Sequence, residues 1–270
     1  MGLLRRQLKS ALLSWKWLVV AVVTVIILAL QYRTAFFMPW VLPQPNPNFF
    51  NYMLLFNYFG SGTKLYLLMI PILASFVGGD LYSRERVSGR LNSLLMRVPQ
   101  RPTLRISLLS SFIIGGLAGI FPLFVSMVIA IIHRPHMWFV EGVLNSYNYP
   151  LIDADSWVYG LYKFNQLLLL AFAYAYIYVM AGLMSAMATG VTFFTRIPYV
   201  EILAPFAFAY IPWTLVGLAR WPIQGLSYLN FLDFRVATRP PNELGAAMTI
   251  PILFLITALL YGKKVHSYVI

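Results

Sequence analysis

Apolar runs broken by short charged clusters dominate the chain from end to end. A helix needs about 20 mostly apolar residues to cross a hydrocarbon layer. Six stretches meet or approach that length: 12–30, 65–79, 106–132, 164–193, 199–218 and 244–261. The second is short, and the aromatic, weakly polar residues 51–60 are expected to extend or brace it. Proline at 71, 122, 205, 212 and 251 predicts kinks, which a helical bundle tolerates because neighbouring groups satisfy the freed backbone. No repeat of about 20–50 residues interrupts the pattern. The expectation is an all-α polytopic membrane protein, a single domain over residues 1–270 with six transmembrane helices and re-entrant or interfacial outer segments.

Composition sharpens this. Of 270 residues, 60% are hydrophobic and only 10% charged, with a mean hydropathy of +0.74. A soluble domain carries roughly 25% charged residues, so this chain is suited to a surface solvated by lipid. The net charge of +12 raises nucleic acid as a partner, but the basic residues lie between apolar runs, where they suit anionic headgroups and topology. Nucleic acid is not an expected partner; the lipid bilayer is. The chain contains no cysteine, which excludes disulfides, thiolate metal sites and a cysteine nucleophile.

Arg5, Arg6 and Lys9 precede the apolar run 17–30 as they would in a signal peptide. However, Gln31, Tyr32 and Arg33 follow where a small-x-small cleavage site would stand, so a retained span is expected. Gly2 lacks the Ser or Thr that myristoylation needs, because Arg6 holds that position. With the N-terminus inside, thirteen of the 20 Lys and Arg residues fall on inner segments and seven on outer ones. The bias predicts cytoplasmic termini in a cell (plasma) membrane protein. The two outer segments, 31–64 and 133–163, are rich in Phe, Trp and Tyr, including Trp40, Phe49, Phe50, Phe56, Trp157 and Tyr162. Such residues favour the interface or re-entrant packing.

The stretch 80–105 carries the most information. Val87, Leu91, Leu94 and Leu95 fall at i, i+4, i+7 and i+8, a helical stripe, while Arg84, Arg86, Arg90 and Arg97 occupy much of the remaining surface. Gly89 marks a break or bend, Pro99 and Pro102 end the segment, and Thr103 is placed to cap the third span. A short amphipathic helix at the cytoplasmic interface is predicted. Charge alone would make it a topology anchor, yet an anchor requires neither the break nor the apolar stripe.

The sequence Glu85-Arg86-Val87-Ser88-Gly89-Arg90-Leu91, with Leu94, Leu95 and Pro99 beyond it, resembles the permease subunits of ABC-type exporters of the type-2 superfamily. Arg90 stands where that family usually has Thr, and Leu104-Arg105 where a Gly-Lys pair is common. A weaker echo is Leu226-Ser227-Tyr228-Leu229-Asn230, with Phe231 in place of a proline. The resemblance implies that Arg84, Glu85, Arg86, Ser88, Gly89, Arg90, Leu91, Leu94, Leu95 and Pro99 form a coupling surface for a separate ATP-binding subunit. It also implies a second permease copy or a sister permease, with ATP and Mg held by the partner subunit and no cofactor on this chain.

The chain has no Gly-x-x-x-x-Gly-Lys-Ser/Thr loop to cradle phosphates. Gly60-Ser61-Gly62-Thr63-Lys64 has the wrong spacing. None of the six predicted spans carries an ionisable side chain in its central portion, which argues against self-energised ion coupling; Lys16 and Glu201 lie near ends, and Glu201 is expected to pair with Arg196. His133 and His136 flank Pro135 and are expected to form a solvated turn. No catalytic, cofactor or metal residue is expected, so enzyme activity is assigned to the partner. Gly115 and Gly119 predict close helix packing. Gln166, Tyr174 and Tyr178 share one side of the fourth span, as part of a translocation path or as interhelical hydrogen-bonding groups. A non-transporting sensor or assembly scaffold on the same bundle is the alternative.

Overall fold

The computed structural model describes residues 2–37, 49–57, 60–91, 96, 99–133, 152, 156–195, 199–219, 228–234 and 243–266. Among them the regular structure is helical: α1 Gly2–Leu12, α2 Lys16–Phe36, α3 Gly62–Ala74, α4 Leu81–Val87, α5 Gln100–His133, α6 Tyr159–Phe164, α7 Gln166–Thr192, α8 Val200–Ala219, α9 Tyr228–Phe231 and α10 Glu243–His266. A single 3-10 turn, Phe49–Tyr52, lies between α2 and α3. A π-helical turn, Ser75–Gly79, joins α3 to α4 as one continuous rod.

Among the described residues, five helices are long and apolar enough to cross a membrane: Lys16–Phe36, Gly62–Val87, Gln100–His133, Gln166–Thr192 and Gly245–His266. A shorter apolar stretch, Val200–Ile211, opens α8. The predicted first span, 12–30, divides differently from expectation. Its first residue, Leu12, ends the separate helix α1, residues 13–15 form the corner, and α2 runs from Lys16 on to Phe36. The second span is longer than predicted, because the π turn carries the helix through Gly78-Gly79 into Val87. The third begins at Gln100, with Pro102 in its first turn, where a missing N–H costs nothing.

Apolar residues cover the outside of these helices. Leu18, Val25 and Ile26 of α2, Ile131 and Ile132 of α5, Leu203 of α8, and Phe254, Leu255 and Leu259 of α10 are all exposed. Soluble monomers rarely expose large contiguous apolar areas; lipid solvates them without penalty. Lipid therefore does little to drive helices together, and tight packing must do it. The α5–α7 seam supplies that packing. A Cβ at Gly115 or Gly119 would collide with Ser185 or Ala181, and one at Gly182 would meet the Phe112 carbonyl oxygen at 2.7 Å. The Gly115/Gly119 pair thus packs within the chain.

One end of the bundle is filled by aromatic residues from separate segments. Phe49, Phe50, Met53, Leu54, Leu55 and Phe56 are wholly buried, as are Tyr162 and Phe231 to within 1%. Leu55 adopts φ +75°, and its backbone N–H is satisfied by the Thr63 hydroxyl at 3.1 Å. The described part of the first outer segment is therefore packed inward. Trp40, Tyr58 and Phe59 lie outside the described residues.

Candidate functional site: the α3–α4 elbow

The elbow starts at the π turn. Its glycines allow a closeness that no side chain would permit: a Cβ at Gly78 would strike Ser185 Oγ, and one at Gly79 would lie 2.8 Å from Ala188 Cβ. Buried hydroxyls line the contact. Ser111 Oγ lies 2.8 Å from Ser185 Oγ, and Thr189 Oγ1 lies 2.8 Å from Ser111 Oγ and 3.2 Å from the Gly79 carbonyl oxygen. Widened helical turns of this kind occur frequently at functional positions.

Beyond the turn, Asp80 gathers charge. Its Oδ2 lies 2.6 Å from Lys16 Nζ and 3.2 Å from Arg84. The Lys16 ammonium also donates to the Phe76 carbonyl at 2.5 Å and sits 4.7 Å from the Phe76 ring centroid. Asp80 Oδ1 is buried without a hydrogen-bond partner. Glu201, at the start of α8, is buried beside this group, its Cβ 3.7 Å from where a Gly79 Cβ would stand. Arg196, its expected partner, lies outside the described residues.

α4 then turns its polar side chains back onto α1 and α7. Gln7 of α1 donates to Glu85 Oε2 at 3.1 Å and to Ser107 Oγ at 3.3 Å, while Ser110 Oγ donates to Gln7 Oε1 at 2.9 Å. Arg86 donates to the Thr192 carbonyl at the end of α7 and lies over the Tyr82 ring. Tyr82 meets Phe193 edge-on at 4.8 Å, and Leu91 is buried in the same small cluster with Leu104. Ser88 Oγ donates to the Glu85 carbonyl at 3.2 Å. Gly89 takes φ +71° with open space around it, a conformation that other residues adopt only with strain.

Two expectations are corrected here. Val87 does not share an apolar stripe with Leu91: it is 88% exposed while Leu91 is 6% exposed, because the helix ends at Val87 and the Ser88-Gly89 turn re-aims the chain. Nor do Arg84 and Arg86 form a wholly outward basic face, since both fold back onto the protein. Arg90 is exposed, and so is Pro99, whose carbonyl accepts from the Thr103 hydroxyl at 3.1 Å. Thr103 thus bonds backward rather than capping the third span. Leu94 and Leu95 lie outside the described residues.

Three further basic groups lie at the same end of the bundle. Arg105 Nε donates to the Tyr261 hydroxyl at 2.8 Å, and Lys263 and Lys264 lie near the Phe194 ring at 5.9 and 5.5 Å. Along α7, Tyr174 donates to the Leu123 carbonyl at 3.0 Å. Tyr178 lies against Gly116 and edge-on to Phe112. Both tyrosines therefore tie α7 to α5. Gln166 is half-buried at the opposite end of α7, beside the Asn165 side chain that caps it. At that end Tyr228 donates to the Leu67 carbonyl at 2.9 Å, and burial pushes its phenol well above the usual tyrosine range, keeping the proton in place. His133 stacks on Tyr52 at 5.3 Å; His136 lies outside the described residues. Among the described residues no group of three or more His, Cys, Asp or Glu is placed to hold a metal.

Sequence reading missed Gln7, Asp80 and the Ser111 and Ser185 hydroxyls; Thr189 and Thr192 stand out in the sequence only as polar residues further along the fourth span. Gln7 sits on the same face as Leu4, Leu8 and Ala11, a stripe that was legible. Asp80 and Lys16 have opposite charges at the ends of two predicted spans, which was a usable hint. Nothing in the spacing could mark a backbone carbonyl such as that of Thr192. The fold defines a multi-pass helical membrane protein. Comparison with known proteins finds no matching family model, curated protein or solved structure.

Proposed function

We propose that the chain is the permease subunit of an ATP-driven ABC-type exporter, with ATP and Mg bound by a separate subunit. In this reading α8 is a sixth span, both termini are cytoplasmic in a cell membrane, and the permease works as a pair with itself or a sister chain. The observation that carries the reading is the wiring of the elbow. Glu85 and Arg86, two of the residues that resemble the type-2 exporter motif, lie on a helix continuous with one span, and that rod is bonded to three others: Glu85 to α1, Arg86 to α7, and Asp80 to Lys16 at the start of α2. Force applied there has rigid paths into the bundle. The central portions of the spans carry no ionisable side chain, which supports an external energy source.

In operation, closure of the ATPase pair would press on the surface around Ser88–Leu91. The α3–α4 rod would pivot at the π turn, where small residues and hydroxyls allow sliding, and the shift would pass along α5 and α7. Amphipathic or lipid-like cargo suits spans of this polarity. The test is co-purification with the ATPase subunit and ATP-dependent export after reconstitution. Glu85→Arg, and Leu91→Asp combined with Leu94→Asp, are expected to abolish both. Assembly and export retained in both variants would overturn the reading.

A further inference from the structure

α1 is two-faced. Gln7 and Ala11 are buried, at 3% and 1% exposure, with Leu4 and Leu8 half-buried beside them. That side rests on α5, through the Gln7 bonds to Ser107 and Ser110. At 3.6 residues per turn the opposite side presents Arg5, Arg6, Lys9 and Ser10, all exposed. α1 carries no acidic residue, and its three charged side chains are all cations. The apolar half of this amphipathic helix is thus consumed by the protein, and its basic half faces away from the bundle.

What lies next to that face indicates what covers it. Where α1 turns into α2, Leu12, Leu13, Trp15 and Leu18 are 50%, 77%, 68% and 68% exposed. The corner is held firmly: the Trp17 indole donates to the Ala11 carbonyl at 3.1 Å and its ring packs edge-on to Phe121. These apolar side chains continue into the lipid-facing side of α2, with an indole at the level where such rings favour the membrane–water boundary. Arg5, Arg6 and Lys9 stand one or two helical turns before Leu12 along α1, on its outward side.

We infer that the outward face of α1, formed by Arg5, Arg6 and Lys9, is a docking surface for anionic phospholipid headgroups. The inference requires only a membrane and does not depend on the exporter reading. It also gives the Gln7–Glu85 bond a consequence: lipid held on one face of α1 steadies the residue that holds the elbow on the other.

The cysteine-free sequence provides a clean test. Ser10→Cys in the full chain takes a single fluorophore on the basic face. The protein is reconstituted in phosphatidylcholine vesicles containing a nitroxide quencher carried near the headgroup of either phosphatidylglycerol or phosphatidylcholine. Preferential quenching by the anionic lipid is expected. A basic residue near an anionic surface contributes about a fivefold preference, so R5Q, R6Q and K9Q should each lose roughly that factor, and the triple variant nearly all of it. R5K with R6K should retain the preference, as should R33Q at the opposite end of α2, which shows that the losses come from charge at this face and not from misfolding. Soluble glycerol phosphate should not compete. Equal quenching by both lipids, an undiminished preference in the triple variant, or effective competition by glycerol phosphate would overturn the inference and leave the face to a protein partner or a free anion.

Discussion

At the scale of single residues, the ion pair between Lys16 and Asp80 ties the start of α2 to the elbow. Their side chains are 10% and 17% exposed, so removal of one leaves the other in a poorly solvated site. Breaking such a pair from one side typically costs about 3–5 kcal/mol, whereas replacing both partners by apolar groups is often near neutral. Asp80→Leu, which strands the Lys16 ammonium, should therefore lower the thermal unfolding midpoint in detergent markedly, and Asp80→Leu with Lys16→Met should recover much of the loss. A double variant no better than the single would show that the pair contributes by something other than mutual neutralisation. The glycines give a second contrast. Gly115→Ala places a methyl group into Ser185 and should cost about 1–3 kcal/mol through overpacking. Gly89→Ala meets nothing within 4 Å and should cost about 1 kcal/mol through its left-handed backbone alone. Repair by Ser185→Gly should help the first and leave the second unchanged; the same response in both would refute this division.

At the scale of elements, the span ends are where expectation and structure part. Periodicity and hydropathy place the interior of a span well, since about 20 apolar residues can do little else. They place its ends poorly, because helical hydrogen bonding continues past the point where hydropathy falls. Hence α10 continues through Lys263 and Lys264 to His266, and the second span reaches Val87 through a glycine pair that reads as a break. The stripe argument failed at Val87 for a related reason: a single residue at φ +71° rotates all that follows. In α1 the helical stripe of Leu4, Leu8 and Ala11 is legible, but that half is narrow and includes Gln7, a polar residue whose burial only the bonds to Glu85, Ser107 and Ser110 explain.

For the whole molecule, the arrangement places the basic elements α1, α4 and the end of α10 together and the aromatic fill of Phe49–Tyr52 at the far end of the same bundle. Opposite ends of one bundle that spans a bilayer must face opposite compartments. Single cysteines report this directly: Ser10→Cys lies by the basic end, and Ser61→Cys is exposed where α3 begins. In intact cells a membrane-impermeant thiol reagent should label Ser61→Cys and spare Ser10→Cys until the membrane is opened. Labelling of both from one side would contradict a single crossing between them, and labelling of Ser10→Cys from outside would remove the elbow from reach of any cytosolic ATPase.

The sequence by itself determined the solvent. Too few charges to cover a soluble surface, and runs long enough for helices to cross hydrocarbon, leave an α-helical membrane protein as the outcome whatever its contacts. It also located the elbow, through a local pattern of charge, glycine and leucine. Only the tertiary structure decided what that elbow holds, because Asp80–Lys16, Glu85–Gln7 and Arg86–Thr192 join positions distant along the chain. In lipid no hydrophobic pattern points one helix toward another. Shape and hydrogen bonds choose the partners, and these exist only once the helices have met.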